Sequence, residues 1–257
     1  MDSVTHHGRE TAYEVTGGGP DTETVCLVHG NGSTHQIWDR QGDLSEDYRL
    51  VTPDLSGHGD SEDVTARPGY DTLSAHADDV QAVTSALGAT VLVGHSLGGA
   101  VVLHTLIERD NQVDAAIVVG CGARLGVLED LRSWAQSDID RLIEFFLTPD
   151  RLVADPDPSM VSFLRDQLER NRDLLSRDLE TCHRWDVRDR LVEVSVPVLA
   201  VCGERDRLTP PWYHEYLAAE VPDGELAIIE EACHLPMLER PSRFNSAVSS
   251  FLSHTLD

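Results

Sequence analysis

The chain has 257 residues, 40% of them hydrophobic, enough to bury one large core and within the range that runs as one open α/β sheet or barrel. Its formal net charge is -25, from 45 Asp and Glu against 20 basic residues, every one an arginine, and a field of that sign repels DNA, RNA and anionic lipid. No apolar run approaches the roughly 18 to 20 residues of a membrane span, and the opening MDSVTHHGRETAYEV lacks the basic flank and apolar block of a secretory signal. The expectation is a cytoplasmic protein that binds neither nucleic acid nor membrane.

In chain order, HHGRETAYEVTGGGPD (6–21) reads as an antiparallel edge hairpin. Strands follow at 24–29, 48–53, 90–94, 115–120, 196–203 and 225–229, short and rich in Val, Ile and Leu, as strands covered on both faces are. Helix-length segments at 72–87, 97–109, 211–219 and 243–253 alternate with them, which implies a mostly parallel sheet flanked by helices, with right-handed crossovers. The fold class is α/β, in one domain spanning 1–257. Residues 123–194 interrupt the alternation. They are too long and too periodic for a loop, and are expected to form a small helical cap insertion. Leu131, Trp134, Ile139, Leu142, Ile143 and Phe146 recur at helical spacing there, and a second helix begins where Asp157 caps and Pro158 takes the first turn. The apolar side of these helices either roofs a pocket or thickens the core.

One segment carries chemistry. VLVGHSLGGAVVL (91–103) sets Gly94-His95-Ser96-Leu97-Gly98 between a strand and a helix. The pentapeptide alone turns up by accident about once in ten chains of this length. Its strand-turn-helix setting is that of a nucleophile elbow, where the residues two before and two after the serine must be tiny. The helix that follows aims its free N–H groups at an anion forming beside the hydroxyl, and Leu97 N–H is the natural first oxyanion donor. A serine needs a base and a group that orients the base. AIIEEACHLPMLERP places His234 past the last strand, and VLAVCGERDRLTP releases Asp206 at a strand end. The order Ser96, Asp206, His234 is that of the sheet-based triad, and each residue stands at the carboxyl end of its strand, where open α/β sheets put ligands. CLVHGNGSTHQIW supplies a second donor, Asn31 N–H, from another loop on that edge.

From the HGNG loop through PDLSGHGDS, VGHSLGG, GERDRLTP and CHLPMLERP, nearly the whole chain resembles an α/β-hydrolase of the broad esterase and lactonase type. The resemblance implies Ser96 as nucleophile, His234 as general base and acid, Asp206 as orienting carboxylate, and Asn31 with Leu97 as oxyanion donors. The implied enzyme is a serine hydrolase that cleaves a small carboxylic ester or lactone through an acyl-enzyme, without a cofactor. Cys233 stands where Gly is usual before the catalytic His, and Ser56 where Arg is common before Gly-His-Gly. A serine nucleophile argues against the dehalogenases and epoxide hydrolases of this fold, which carry Asp. The same triad also serves C–C bond hydrolases, amidases and cofactor-free haloperoxidases. Outside enzymes, the fold serves ligand receptors that signal by closing the insertion.

Trp38, Trp134, Phe146 and Phe163 are candidates to line the acyl pocket, with core packing as the alternative reading; Phe145 shares that ambiguity. His29, His58 and His95 are expected to bond within their own loops. His6, His7, His35, His76, His104, His183, His214 and His254 are expected on the surface or in packing. The five cysteines form no CxxC pair and the 12 histidines no HExxH, so they predict buried thiols and no metal. The sequence leaves monomer and homodimer open.

The charge balance resembles that of cytoplasmic proteins from salt-accumulating halophiles, in which carboxylates replace lysines; the rival reading is an acidic mesophilic protein from a GC-rich genome. Self-repulsion at net charge -25 destabilises the fold in dilute buffer, and a Debye length of about 3 Å at 1 M salt screens most of it. The melting temperature should therefore rise steeply between dilute and molar KCl in a thermal-denaturation series. A flat response removes the halophile reading.

Overall fold

A computed structural model describes residues 1–19 and 22–256. Two strands, β1 (Asp2–His6) and β2 (Arg9–Thr16), pair antiparallel around a turn at His7 and Gly8, both with positive φ. The expected hairpin thus starts earlier than its motif suggested, and the last two residues assigned to it, Pro20 and Asp21, lie outside the described residues. Six strands follow: β3 (Thr24–Val28), β4 (Arg49–Pro53), β5 (Val91–His95), β6 (Ala115–Val119), β7 (Val198–Gly203) and β8 (Gly224–Ile229). They form one eight-stranded sheet in the order β1-β2-β4-β3-β5-β6-β7-β8. The β1–β2 and β2–β4 pairs are antiparallel and the remaining pairs parallel.

The central strands are apolar throughout because both faces are covered. Val25, Leu27, Val91, Val93, Ile117 and Val201 face one hydrophobic layer, and the alternate residues Cys26, Val28, Leu92, Val118 and Ala200 face the other. Nine helices accompany the sheet among the described residues. After α1 (Tyr70–Leu87) and α2 (Leu97–Glu108), four fall between β6 and β7: α3 (Glu129–Ser137), α4 (Ile139–Leu147), α5 (Pro158–Arg170) and α6 (Leu175–Arg184). The rest are α7 (Pro211–Glu220), α8 (Pro236–Glu239) and α9 (Pro241–Thr255). Leu73 and Val80 of α1, Val101 of α2 and Leu217 of α7 fill the second layer; Phe244, Val248 and Phe251 of α9 fill the first.

The stretch between β6 and β7 was expected as two helices and is four. Asp138 leaves helical geometry (φ -153°, ψ 67°), and its carboxylate accepts from Arg141 N at 3.3 Å, so it ends α3 and caps α4. A turn closed by Leu174 N to Asn171 O at 3.0 Å separates α5 from α6. Asp157 does cap α5, accepting from Met160 N at 2.8 Å, with Pro158 in its first turn.

Buried charges tie these pieces together. Asp79 of α1 is fully buried. Its carboxylate accepts from Arg9 Nη2 at 2.8 Å, Ser56 N at 2.8 Å and Ser56 Oγ at 2.7 Å, joining β2, the loop after β4 and α1. Burial alone would raise its pKa; the contacts from His6, His76 and Ser56 outweigh that and hold it far below the ordinary carboxylate range. Arg9 also brings its guanidinium to Ser56, Nε donating to Ser56 Oγ at 3.0 Å. His58 was expected from sequence to bond within its own loop and instead reaches a distant helix. Its Nε2 meets Asp178 Oδ2 of α6 at 2.9 Å, both side chains fully buried. Arg177 Nη1 donates to Asp63 at 2.8 Å and Gly69 N to Thr181 Oγ1 at 2.9 Å, so α6 is fastened to the loop after β4 by a polar seam.

Several histidines are held uncharged inside. Burial lowers His29 from the ordinary 6.5 to about 3, and His104 and His214 to about 4. Below pH 6.5 the unfolded chain binds protons at these rings that the folded chain refuses, so stability falls as pH drops toward 4. His35, where the hydrogen bond and charge of Asp54 outweigh burial, is raised and acts in the opposite direction. In 1 M KCl, where carboxylate repulsion is screened, the calorimetric midpoint should fall by about 5 °C or more between pH 7 and pH 4.5. A midpoint that holds or rises over that interval would contradict the buried-neutral assignment.

Candidate active site

The sheet delivers Ser96 at the exit of β5. Its backbone sits at φ 52° and ψ -112°, a strained conformation for a residue with a side chain, and Ser96 N donates to Val119 O of the neighbouring strand at 2.8 Å. The turn is possible because the flanking chains nearly touch. A Cβ on Gly94 would lie 2.3 Å from Gly98 O, and one on Gly98 would lie 2.4 Å from Val28 O. Any side chain at either position would force β5, α2 and β3 apart. The N–H groups of Leu97, the first residue of α2, and of Asn31, after β3, donate to no acceptor among the described residues.

Asp206 and His234 meet across two loops. Asp206, after β7, is buried, and its Oδ1 accepts from Leu208 N at 2.8 Å and Thr209 N at 2.9 Å. Its Oδ2 accepts from Thr209 Oγ1 at 2.8 Å and from His234 Nδ1 at 2.8 Å. Burial would raise this carboxyl, but the charge and hydrogen bond of His234 and the donors of Thr209 hold it below its ordinary value, so it is ionised. A carboxylate only accepts, so the bond to Asp206 places a His234 proton on Nδ1; in the neutral ring the lone pair is then on Nε2. Behind this pair, His95 was expected to bond within its own loop. Instead its Nε2–H donates to the His234 carbonyl at 3.0 Å, with the two rings 4.8 Å apart. Burial, together with the charge of His234, keeps His95 well below 6.5, as a neutral strut. Cys233, next to His234, is buried; its thiol reaches Arg205 O at 3.4 Å, and burial pushes it up to about 12.

Ser96, His234 and Asn31 line one cavity of about 270 Å³ between the carboxyl ends of the strands and helices α3 to α6. Phe146, one of the aromatic candidates from sequence, lines this cavity. Trp38, Trp134 and Phe163 do not. Trp38 packs against Phe244, ring centroids 6.2 Å apart, beside a separate hollow of about 160 Å³. Trp134 is taken up by Phe145 at 5.8 Å and the Arg141 guanidinium at 4.1 Å, and Phe163 packs against the core. Leucines form the walls instead: Leu125, Leu131, Leu164, Leu168 and Leu179. Their helical periodicity announces an apolar face but not whether that face meets core or cavity. Leu208 N, two residues after Asp206, closes an Asx turn, and Thr209, which the sequence reading missed, adds its N–H and hydroxyl so that it holds both Asp206 oxygens. Among the described residues no group of three or more His, Cys, Asp or Glu is arranged to hold a metal ion.

Residues 27–247 match the model of the Alpha/beta hydrolase family. A pimeloyl-[acyl-carrier protein] methyl ester esterase of Neisseria meningitidis is 29% identical over 249 residues, covering 91% of this chain and 94% of the relative. A thermophilic esterase from Thermogutta terrifontis superposes with a TM-score of 0.84 at 26% identity, over 99% of this chain and 98% of that one. An N-acyl homoserine lactone degrading enzyme superposes equally well, 0.84 at 25% identity, over 97% and 100% of the two chains. The matched segment runs from the end of β3 through β4, β5, β6, β7 and β8 and takes in the loops that carry Ser96, Asp206 and His234, and the chain belongs to the alpha/beta hydrolase family.

Proposed function

We propose that this protein is a serine hydrolase that cleaves a small carboxylic ester or lactone through an acyl-enzyme. The observation that carries the reading is the convergence on one cavity of Ser96, on a strained strand exit, and His234, oriented by a buried ionised Asp206. His234 Nε2 accepts the hydroxyl proton as Ser96 Oγ bonds to the carbonyl carbon, and the carbonyl oxygen becomes an anion held by the N–H groups of Asn31 and Leu97. Collapse of this tetrahedral species breaks the bond to the alkoxy oxygen, which leaves with the proton from His234. Water then repeats the sequence: His234 takes its proton, its oxygen adds to the acyl carbon, and Ser96 departs protonated with release of the acid. Each oxyanion donor is worth about 3 to 4 kcal/mol of barrier. The relatives whose names state an ester or a lactone as substrate support this reaction class.

The small, leucine-walled cavity supports short apolar acyl groups, and residues 123–194 serve as the cap over it. The net charge of -25 with no lysine supports work in a salt-rich cytosol.

A fluorophosphonate probe followed by peptide mass spectrometry should label Ser96 alone; label on another serine, with Ser96 unmodified, would sink the assignment. On a panel of short-chain p-nitrophenyl esters in molar KCl, Ser96→Ala should lower kcat at least about a thousandfold. Equal, slow hydrolysis by wild type and variant would favour a receptor or a different reaction.

A further inference from the structure

The cavity is walled largely by leucines, with Ser96, His234, Gln167 and Thr209 among the polar groups inside it. Of its lining residues only Gly126, Leu128 and Arg207 are exposed, so the opening lies between the loop after β6 and the loop after β7. Arg207 is distinctive in two independent ways. Among the described residues it is the one arginine of the 20 with no ion pair, hydrogen bond or aromatic contact, in a chain with 45 carboxylates available to pair. The lining also contains no aspartate or glutamate, although these make up 45 of the 257 residues.

A guanidinium left unpaired in so acidic a protein marks a spot where carboxylates of the chain are kept away. The surrounding negative field opposes the approach of any anion, so an anionic ligand needs a direct, two-pronged contact of the kind arginine makes with a carboxylate. Arg207 stands between Asp206 and Leu208, on the loop that holds the Asp206–His234 pair in place, so an anion bound there lies at the entrance to the site and leaves the leucine-lined interior to an apolar segment. We infer that the substrate is a carboxylate-bearing ester or lactone, whose apolar part occupies the cavity while its carboxylate stays at the mouth on Arg207. Arg207 is then a specificity-determining residue, and the inference rests on the hydrolase reading above only for the ester carbonyl, not for the anion.

The test uses two matched ester pairs and one measurement without turnover. Mono(4-nitrophenyl) glutarate against 4-nitrophenyl pentanoate places the charge on the acyl side; 4-carboxyphenyl butanoate against 4-carbamoylphenyl butanoate places it on the alcohol side. For at least one pair, the ratio of kcat/KM for the charged ester over the neutral one should fall about tenfold in Arg207→Gln and less in Arg207→Lys, which keeps the charge but loses the two-pronged contact. Calorimetric titration should show glutaramate binding more tightly than pentanamide to the wild type, and the preference should vanish in Arg207→Gln. A ratio unchanged in both pairs, or equal losses for charged and neutral esters, overturns the inference, because a merely structural role on the Asp206 loop would not discriminate charge. Glutaramate binding no better than pentanamide overturns it as well. Arg207-dependent glutaramate binding without hydrolysis of any ester would support the anion site and overturn the hydrolase reading instead.

Discussion

The close crossing of β5, α2 and β3 is the constraint on which the site depends. Gly94 and Gly98 bring three backbones to a separation that excludes even a methyl group, and Ser96 is forced to positive φ as the chain reverses between them. Strain of this kind costs about 1 to 3 kcal/mol and persists only where the surroundings over-determine it. Here they do: the Ser96 N–H is tied to β6, and the helix that begins at the next residue is locked into the second hydrophobic layer by Val101 and Leu103. The serine is therefore displayed by the sheet itself, while the Asp206–His234 pair arrives on loops that must be fixed by their own hydrogen bonds. Thr209 and the neutral ring of His95 supply that fixing from opposite sides.

Much of this was legible in the sequence, and the limits have physical causes. Strands buried on both faces are continuous Val, Ile and Leu runs bounded by turns, so β3, β5, β6 and β7 are found within two residues of their ends. The elbow is legible because steric necessity leaves glycine as the only option at fixed offsets. The break at Asp138 was not, because Leu131, Trp134, Ile139 and Leu142 keep helical spacing straight through it and only the carboxylate reveals the new cap. Nor was the lining: leucines facing a cavity and leucines facing a core obey one periodicity, and of the four aromatics that suggested a pocket only Phe146 faces the cavity, while Trp38, Trp134 and Phe163 pack elsewhere. The His58–Asp178 pair joins residues 120 apart, and nothing local to either announces the other.

Charge is handled differently inside and outside. On the surface, carboxylates outnumber guanidiniums, and most ion pairs are exposed and of little individual worth. Inside, Asp79 and Asp206 have donors on both carboxylate oxygens, Asp178 meets His58 through one oxygen, and His29 nearby stays neutral. A buried carboxylate stripped of a partner would cost several kcal/mol, so these three are fixed points around which the acidic surface can vary.

The insertion presents two chemically separate faces. Asp178, Arg177 and Thr181 hold α6 to the loop after β4, while Leu131, Phe146, Leu164 and Leu168 face the cavity and take no part in that attachment. Attachment and lining are thus borne by different residues. The lining can change one leucine at a time, altering the shape of the chamber, while the seam that moors α6 stays intact, because Asp178, Arg177 and Thr181 do not line the cavity.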